Sequence, residues 1–151
     1  MSVDTIVRLA DISNIIGVKD ATGDLNVARS LIEKCPESFI LLSGDDGTAI
    51  DFILMGGHGG ISVTANVVPK ILSEAYDYAI RGNSDKAKEI DLQITSLHSH
   101  LFIESNPIPV KWAIHRMGYC ESGIRLPLTR LSSEGKIIID QDLKELRILC
   151  N

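Results

Sequence analysis

Asn14-Ile15-Ile16-Gly17-Val18-Lys19-Asp20-Ala21-Thr22-Gly23 is an apolar, β-branched run that ends in one lysine and a small, polar, glycine-closed turn. Short continuous apolar runs bounded by turn residues read as strands buried on both faces, the kind found in parallel sheets. Alternation along a strand puts Ile15, Gly17 and Lys19 on one side and Ile16 and Val18 on the other. If the first side is the inside of a barrel, Lys19 stands at the C-terminal mouth, where barrel enzymes keep their chemistry.

Outward from this strand the pattern repeats. Ser2–Asp11 reads as a short helix with Val3, Ile6, Val7 and Ala10 on one face. Asp24 is placed to cap a helix to about Lys34, which Pro36 stops. Phe39–Leu42 is the next buried strand, ending in Ser43-Gly44-Asp45-Asp46. Thr48–Met55 reads as a short helix, Gly60–Thr64 as a third strand, and Val67–Arg81 as a third long helix closed at Gly82-Asn83. Strand, turn and helix repeated in this way imply a parallel sheet with right-handed crossovers.

From Ser84 the pattern changes. Ala87, Ile90, Ile94, Leu97 and Leu101 recur at spacings of three and four, which predicts one long amphipathic helix. Asn106-Pro107-Ile108-Pro109 breaks the chain, and Pro109 suits the first turn of a helix to Met117, closed by Gly118. A looped stretch containing Gly123, Pro127 and Gly135 leads to a last helix capped by Asp140, with Leu143, Leu146 and Leu149 inward. Residues 1–82 therefore read as an α/β segment and residues 83–151 as a helical domain. A complete (β/α)8 barrel needs at least ~200 residues. Three strands form a small open sheet or the C-terminal part of a longer barrel.

The composition excludes several classes. With 44% hydrophobic and 23% charged residues and a net charge of -5, the chain is that of an ordinary globular protein without the basic surface of a nucleic-acid binder. It has no apolar run of ~18 residues to span a membrane and no signal-peptide pattern at Met1. Cys35, Cys120 and Cys150 are odd in number and lack metal-type spacing, so reduced thiols and a cytoplasmic location are expected.

Lys19 has two readings. One is a solvated surface charge, and the other is an amine that condenses with a carbonyl to form a Schiff base. That reaction needs a neutral amine, and an ordinary lysine, with a pKa of ~10.4, is almost wholly protonated at pH 7. Burial in an apolar barrel mouth, to which Ile15 and Gly17 would contribute, disfavours the ammonium. Ser43–Asp46 lies at the same strand end. It is turn and capping chemistry, or Gly44 lets a small substrate approach the backbone. Ile61 opens the third strand and could present backbone groups to the same pocket. Gly56–Gly60 precedes a strand instead of opening a helix, which excludes a phosphate loop. His98 and His100, two apart on a helix, point to opposite sides and do not make a metal pair. Trp112 and His115 read as packing residues.

Asn14–Asp24, Leu42–Asp46, Gly56–Asn66, Asn106–Ala113 and Arg125–Thr129 follow one another in an order that resembles the C-terminal half of the dihydrodipicolinate synthase family. The resemblance covers essentially the whole chain. It implies the last three β/α units of a (β/α)8 TIM barrel followed by a C-terminal helical domain. It also implies that Lys19 forms a Schiff base with pyruvate, whose enamine attacks aspartate semialdehyde before the ring closes on the route to lysine. Gly44 and Ile61 match positions whose backbone lines the substrate pocket. No cofactor or metal is implied, and the family is homo-oligomeric, commonly tetrameric. The Asn106–Ala113 motif separates this family from sister aldolases for sialic acid and ketodeoxygluconate, which stay as an alternative beside a non-catalytic barrel fragment.

Several parts of the family pattern have no counterpart in this sequence. The threonine pair that grips the pyruvate carboxylate, the two relay tyrosines, the entrance arginine and most of the lysine-feedback site belong to the earlier strands. Tyr76, Tyr78 and Tyr119 lie elsewhere and do not replace them. Arg130 stands where proline is frequent. The expectation is a fragment whose missing half, on the same or another chain, is needed to shield Lys19 and give activity.

Overall fold

A computed structural model describes residues 1–149 of the chain. Three strands form a parallel sheet in the order β1-β2-β3, with β1 Gly17–Asp20, β2 Ile40–Ser43 and β3 Gly59–Gly60. Gly17 faces Ile40 and Asp20 faces Ser43 across the first pair, while Leu42 and Ser43 face Gly59 and Gly60 across the second. Helices alternate with the strands: α1 Val3–Ala10, α2 Leu25–Lys34, α3 Ala49–Leu54 and α4 Pro69–Ile80. As the sequence predicts, the Asp24 side chain starts α2 by accepting from the Asn26 amide at 2.8 Å. Pro69 sits in the first turn of α4, where its missing N–H leaves no helical bond unmade.

The first strand is shorter than its apolar run. Regular pairing starts only at Gly17, so Ile15 does not share a strand face with Lys19. Ile15 packs with Val18 against the α1–α2 cluster of Ile6, Ala28 and Leu31, and Ile16 is 70% exposed. The third strand is also cut short. Ile61 donates its N–H to Ser43 O at 2.8 Å, so it follows β3 instead of opening it, and Thr64–Asn66 is a turn of 3₁₀ helix. The cause is Asp46, whose Oδ2 accepts from the Val63 and Thr64 amides at 3.0 and 3.2 Å and draws them out of the ladder.

The long helix expected after Ser84 is two, α5 Ser84–Leu92 and α6 Thr95–His100. Thr95 Oγ1 donates to the Asp91 carbonyl at 3.1 Å, the acceptor an unbroken helix would have given to the Thr95 amide. The apolar face survives the break, because Ala87, Ile90, Ile94, Leu97 and Leu101 are all buried. Helix α7, Ile108–Arg116, carries Pro109 in its first turn and is followed by Gly118 at a φ of 83°. The last helix, α8 Ser133–Glu145, starts well before Asp140. Its cap is Ser132, which accepts from the Gly135 amide at 3.1 Å. Gly135 belongs to this first turn for a packing reason: a Cβ there would fall 2.7 Å from Leu131 Cδ1. Asp140, mid-helix, accepts from Trp112 Nε1 and Arg116 Nε at 2.9 and 3.0 Å.

Three clusters form the core. One lies between α1, α2 and the sheet around Leu31, Phe39 and Leu41. A second joins α3, α4 and α5 through Ile50, Ile53, Ala75, Ala79, Ala87 and Ile90. The largest packs α4, α6, α7 and α8 around Leu97, Leu101, Ile139 and Leu143. No described helix is long and apolar enough to cross a membrane. Cys35 and Cys120 are free thiols, and Cys150 lies outside the described residues.

Candidate functional site

The C-terminal ends of the three strands open into one cleft of about 390 Å³. Lys19, Gly44 and Ile61 all line it, joined by Ser62–Val63, Asn66, Asn106 in the turn before α7, and Val110 and Lys111 on α7. Lys19 arrives from the third position of β1, and the turn behind it is tied by short-range bonds. Thr22 Oγ1 donates to Asp20 Oδ2 at 2.7 Å and accepts from the Asp24 amide at 3.3 Å. Gly44 N donates to Asp20 O at 2.7 Å. A Cβ on Gly44 would fall 3.0 Å from both Cγ and Cδ of Lys19 and 2.9 Å from Ala21 Cβ. Glycine is thus what lets the lysine stem cross the end of β2. The lysine itself is exposed, since the described residues put nothing over the open side of the sheet.

The two aspartates after Gly44 divide their work. Asp45 Oδ2 accepts from the Thr48 amide and hydroxyl at 3.1 and 2.7 Å and starts the turn into α3, the capping role expected of this motif. Asp46 is buried and crosses to Val63 and Thr64. Thr64 is in turn held from the other side, where its Oγ1 lies 2.8 Å from His98 Nδ1, and His98 Nε2 lies 3.1 Å from Asp91 Oδ1. Buried polar groups are mostly paired in this way, but the other carboxylate oxygen of Asp46, Oδ1, is buried with no hydrogen-bond partner among the described residues. The network fixes the cleft turn at Ser62–Val63 from both the sheet and α5–α6. Sequence reading missed it, because the partners of Thr64 are 18 and 34 residues away. The available signal was two ionisable residues, Asp91 and His98, one helical face apart.

Tyr76 lies behind the same turn. A Cβ on Gly60 would fall 2.7 Å from the Tyr76 hydroxyl, so glycine permits the ring to sit against β3. Burial, followed by the carboxylates of Asp46, Asp91 and Asp45, raises the phenol well above its ordinary range, and it stays protonated. This phenol is a neutral group packed behind the turn.

Other motifs resolve as structure. The His58 ring accepts from the Leu41 amide at 3.1 Å while its own amide donates to Leu41 O, so the Gly56–Gly60 segment extends the sheet at the end away from the cleft. His98 and His100 have separate partners, as their spacing requires, with His100 Nδ1 2.8 Å from Asp142 Oδ2. Among the described residues no group of three or more His, Cys, Asp or Glu side chains could hold a metal ion.

The model of the dihydrodipicolinate synthetase family matches residues 1–146. This chain belongs to the dihydrodipicolinate synthetase family. It is 55% identical over 149 residues, 99% of its length, to the 4-hydroxy-tetrahydrodipicolinate synthase of Ruthia magnifica subsp. Calyptogena magnifica, of which it covers 50%. It is 57% identical over 132 residues, 87% of its length, to the corresponding synthase of Azoarcus sp. (strain BH72), of which it covers 45%. Among solved structures, the dihydrodipicolinate synthase of Acinetobacter baumannii in complex with pyruvate superposes with a TM-score of 0.95 at 48% identity, over 98% of this chain and 51% of that one. The enzyme from Aquifex aeolicus gives 0.94 at 38% identity, over 97% and 50%. The chain thus spans about half the length of the synthases it matches and presents part of their TIM barrel.

Proposed function

We propose that this chain supplies the C-terminal half of a 4-hydroxy-tetrahydrodipicolinate synthase, namely the last three β/α units of the barrel and the helical domain that follows, and that Lys19 is its nucleophile. The observation that carries the reading is the meeting of Lys19, Gly44 and Ile61 at adjacent parallel strand ends in one cleft. The high identity to synthases, one of them solved with pyruvate, supports pyruvate as the first substrate.

In this reading the free amine of Lys19 adds to the keto carbon of pyruvate and water leaves, giving the imine. Loss of a proton from the adjacent methyl gives the enamine, whose carbon attacks the aldehyde of aspartate semialdehyde. Ring closure then returns the lysine as a free amine, and no other cofactor enters. The backbone at Gly44 and Ile61 borders the reacting carbons, and the Asp46–Thr64–His98 network keeps the second of these edges in place. The half of the barrel absent from these residues desolvates the lysine and supplies the carboxylate-binding groups, whether from the same polypeptide or a second one. The complete enzyme is an oligomer.

Borohydride trapping with pyruvate tests this. In the chain joined to the N-terminal half of the Ruthia relative, a reduced adduct is expected on Lys19 and is lost in Lys19→Arg. The 151-residue chain alone should trap at background level. An adduct on another lysine, or condensing activity that survives Lys19→Arg, would overturn the assignment. Trapping without condensation of aspartate semialdehyde would point to another acceptor aldehyde.

A further inference from the structure

Lys111 borders a second cavity as well as the cleft. This cavity, of about 150 Å³, lies between α7, the loop that follows it and the first turns of α8. Its polar lining is Lys111, Trp112, His115, Ser122, Arg130 and Lys136, over an apolar floor of Ile108 and Leu131. Three cations share one small concavity, and none of its lining residues is acidic. The nearby carboxylate of Asp140 already serves Trp112 Nε1 and Arg116 Nε. Among the described residues Lys111, Arg130 and Lys136 make no ion pair. Lys136 Nζ stands 5.0 Å from the centre of the Trp112 ring, a cation–π contact that holds the ammonium at the cavity. His115 Nδ1 lies 2.9 Å from Cys120 O. A carbonyl only accepts, so that nitrogen carries the proton and the ring orientation is fixed.

Arg130 is exposed and Lys111 and Lys136 are half-buried; gathering like charges in one concavity still costs energy unless an anion relieves it, and such clefts concentrate anions. Arginine and lysine together suit a carboxylate or phosphate, the guanidinium by its paired donors and the ammonium as a point charge. A volume of this order accommodates a molecule about the size of benzene.

We propose that this cavity is a binding site for a compact organic dianion, held by Arg130, Lys136 and Lys111 with its carbon skeleton against Trp112 and the Ile108–Leu131 floor. The two negative charges sit on a pair of carboxylates or on one phosphate group. The site is separate from the proposed reaction, sharing only Lys111 with the cleft.

Trp112 is the sole tryptophan of the chain and reports directly on the cavity. Its emission is followed in the 151-residue chain while succinate or inorganic phosphate is added at constant ionic strength. A saturable change is expected with at least one of the two, and which one binds more tightly identifies the anionic group. Arg130→Pro and Lys136→Met should each weaken binding at least about 10-fold, the loss of one charge-assisted contact. Lys70→Met, an exposed lysine on α4, should bind as the parent does. Arg130→Gln replaces the proline variant if its ligand-free emission or circular dichroism differs from the parent. Emission that follows ionic strength alone, or equal affinity in the Arg130 and Lys136 variants, overturns the proposal.

Discussion

Where α6 meets α8, and α8 meets α7, Ile94, Leu97, Leu101, Ile139 and Leu143 are buried almost completely. Around the sheet, Ile16 is 70% exposed, Ile40 39% and Ile61 54%. Both regions are built from the same aliphatic residues, so hydrophobicity does not separate them. The α6–α8 and α7–α8 seams close within these residues, although Leu92 on α5 and Ile137 on α8 are 75% and 68% exposed elsewhere on the helices, while β1 and β3 are the edge strands of the described sheet. An edge of this kind is a template for further pairing. What sets the sheet apart is therefore its two open strand edges, one of them on β1, which carries Lys19.

The sharpest way to break this contrast is to truncate one aliphatic residue from each region. Leu97→Ala should lower the unfolding free energy by about 2–5 kcal/mol, the cost of a cavity in a closed core. Ile16→Ser should change it by no more than about 0.5 kcal/mol, as for an exposed site. Urea midpoints of the 151-residue chain at several protein concentrations decide the matter. A large loss at Ile16 that grows with concentration would mean that the sheet is covered by self-association.

A smaller effect is expected at the cleft. Gly44→Ala puts a methyl 3.0 Å from the Lys19 stem and 2.9 Å from Ala21 Cβ, and the flexible lysine must give way. In the completed barrel the rate of trapping on Lys19 should fall about 10- to 100-fold, as for a displacement of the order of 1 Å. Gly123→Ala, which meets nothing within 4 Å, should leave the rate unchanged. Equal rates in the two variants would show that the crossing at Gly44 does not position the amine.

The same division describes what was legible in the sequence. Local signals translated directly: Asp24 before α2, Pro109 in the first turn of α7, and the buried face from Ala87 to Leu101. So did the cleft, because Lys19 and Gly44 lie at or just beyond the C-terminal ends of parallel strands, and parallel strands bring those ends together. What failed was set by distant partners. Ile61 follows β3 because Asp46 draws off the Val63 and Thr64 amides, and α5 stops because Thr95 captures the Asp91 carbonyl. Gly135, a loop signal by itself, is helical because Leu131 occupies the space of its side chain. The family resemblance named the lysine but not the Asp91–His98–Thr64 support, which no single motif contains.

Least in size, and specific to the closed region, is a pH effect at Asp142. This carboxylate is buried on α8, and burial raises its pKa, opposed in part by the hydrogen bond and charge of His100 and reinforced by Glu145. A raised pKa in the folded state means that the native protein binds the proton more tightly than the unfolded chain. The stabilisation from that proton is fully present below the ordinary aspartate value of ~3.9 and is lost as pH rises through the folded value. Asp142→Asn keeps an oxygen to accept from His100 and no longer titrates, so at pH 7 it should change stability by less than about 1 kcal/mol. As pH is lowered from 7 towards 4, the urea midpoint of the parent should rise relative to that of the variant. A difference that is flat or runs the other way would mean that His100, and not burial, governs the pair.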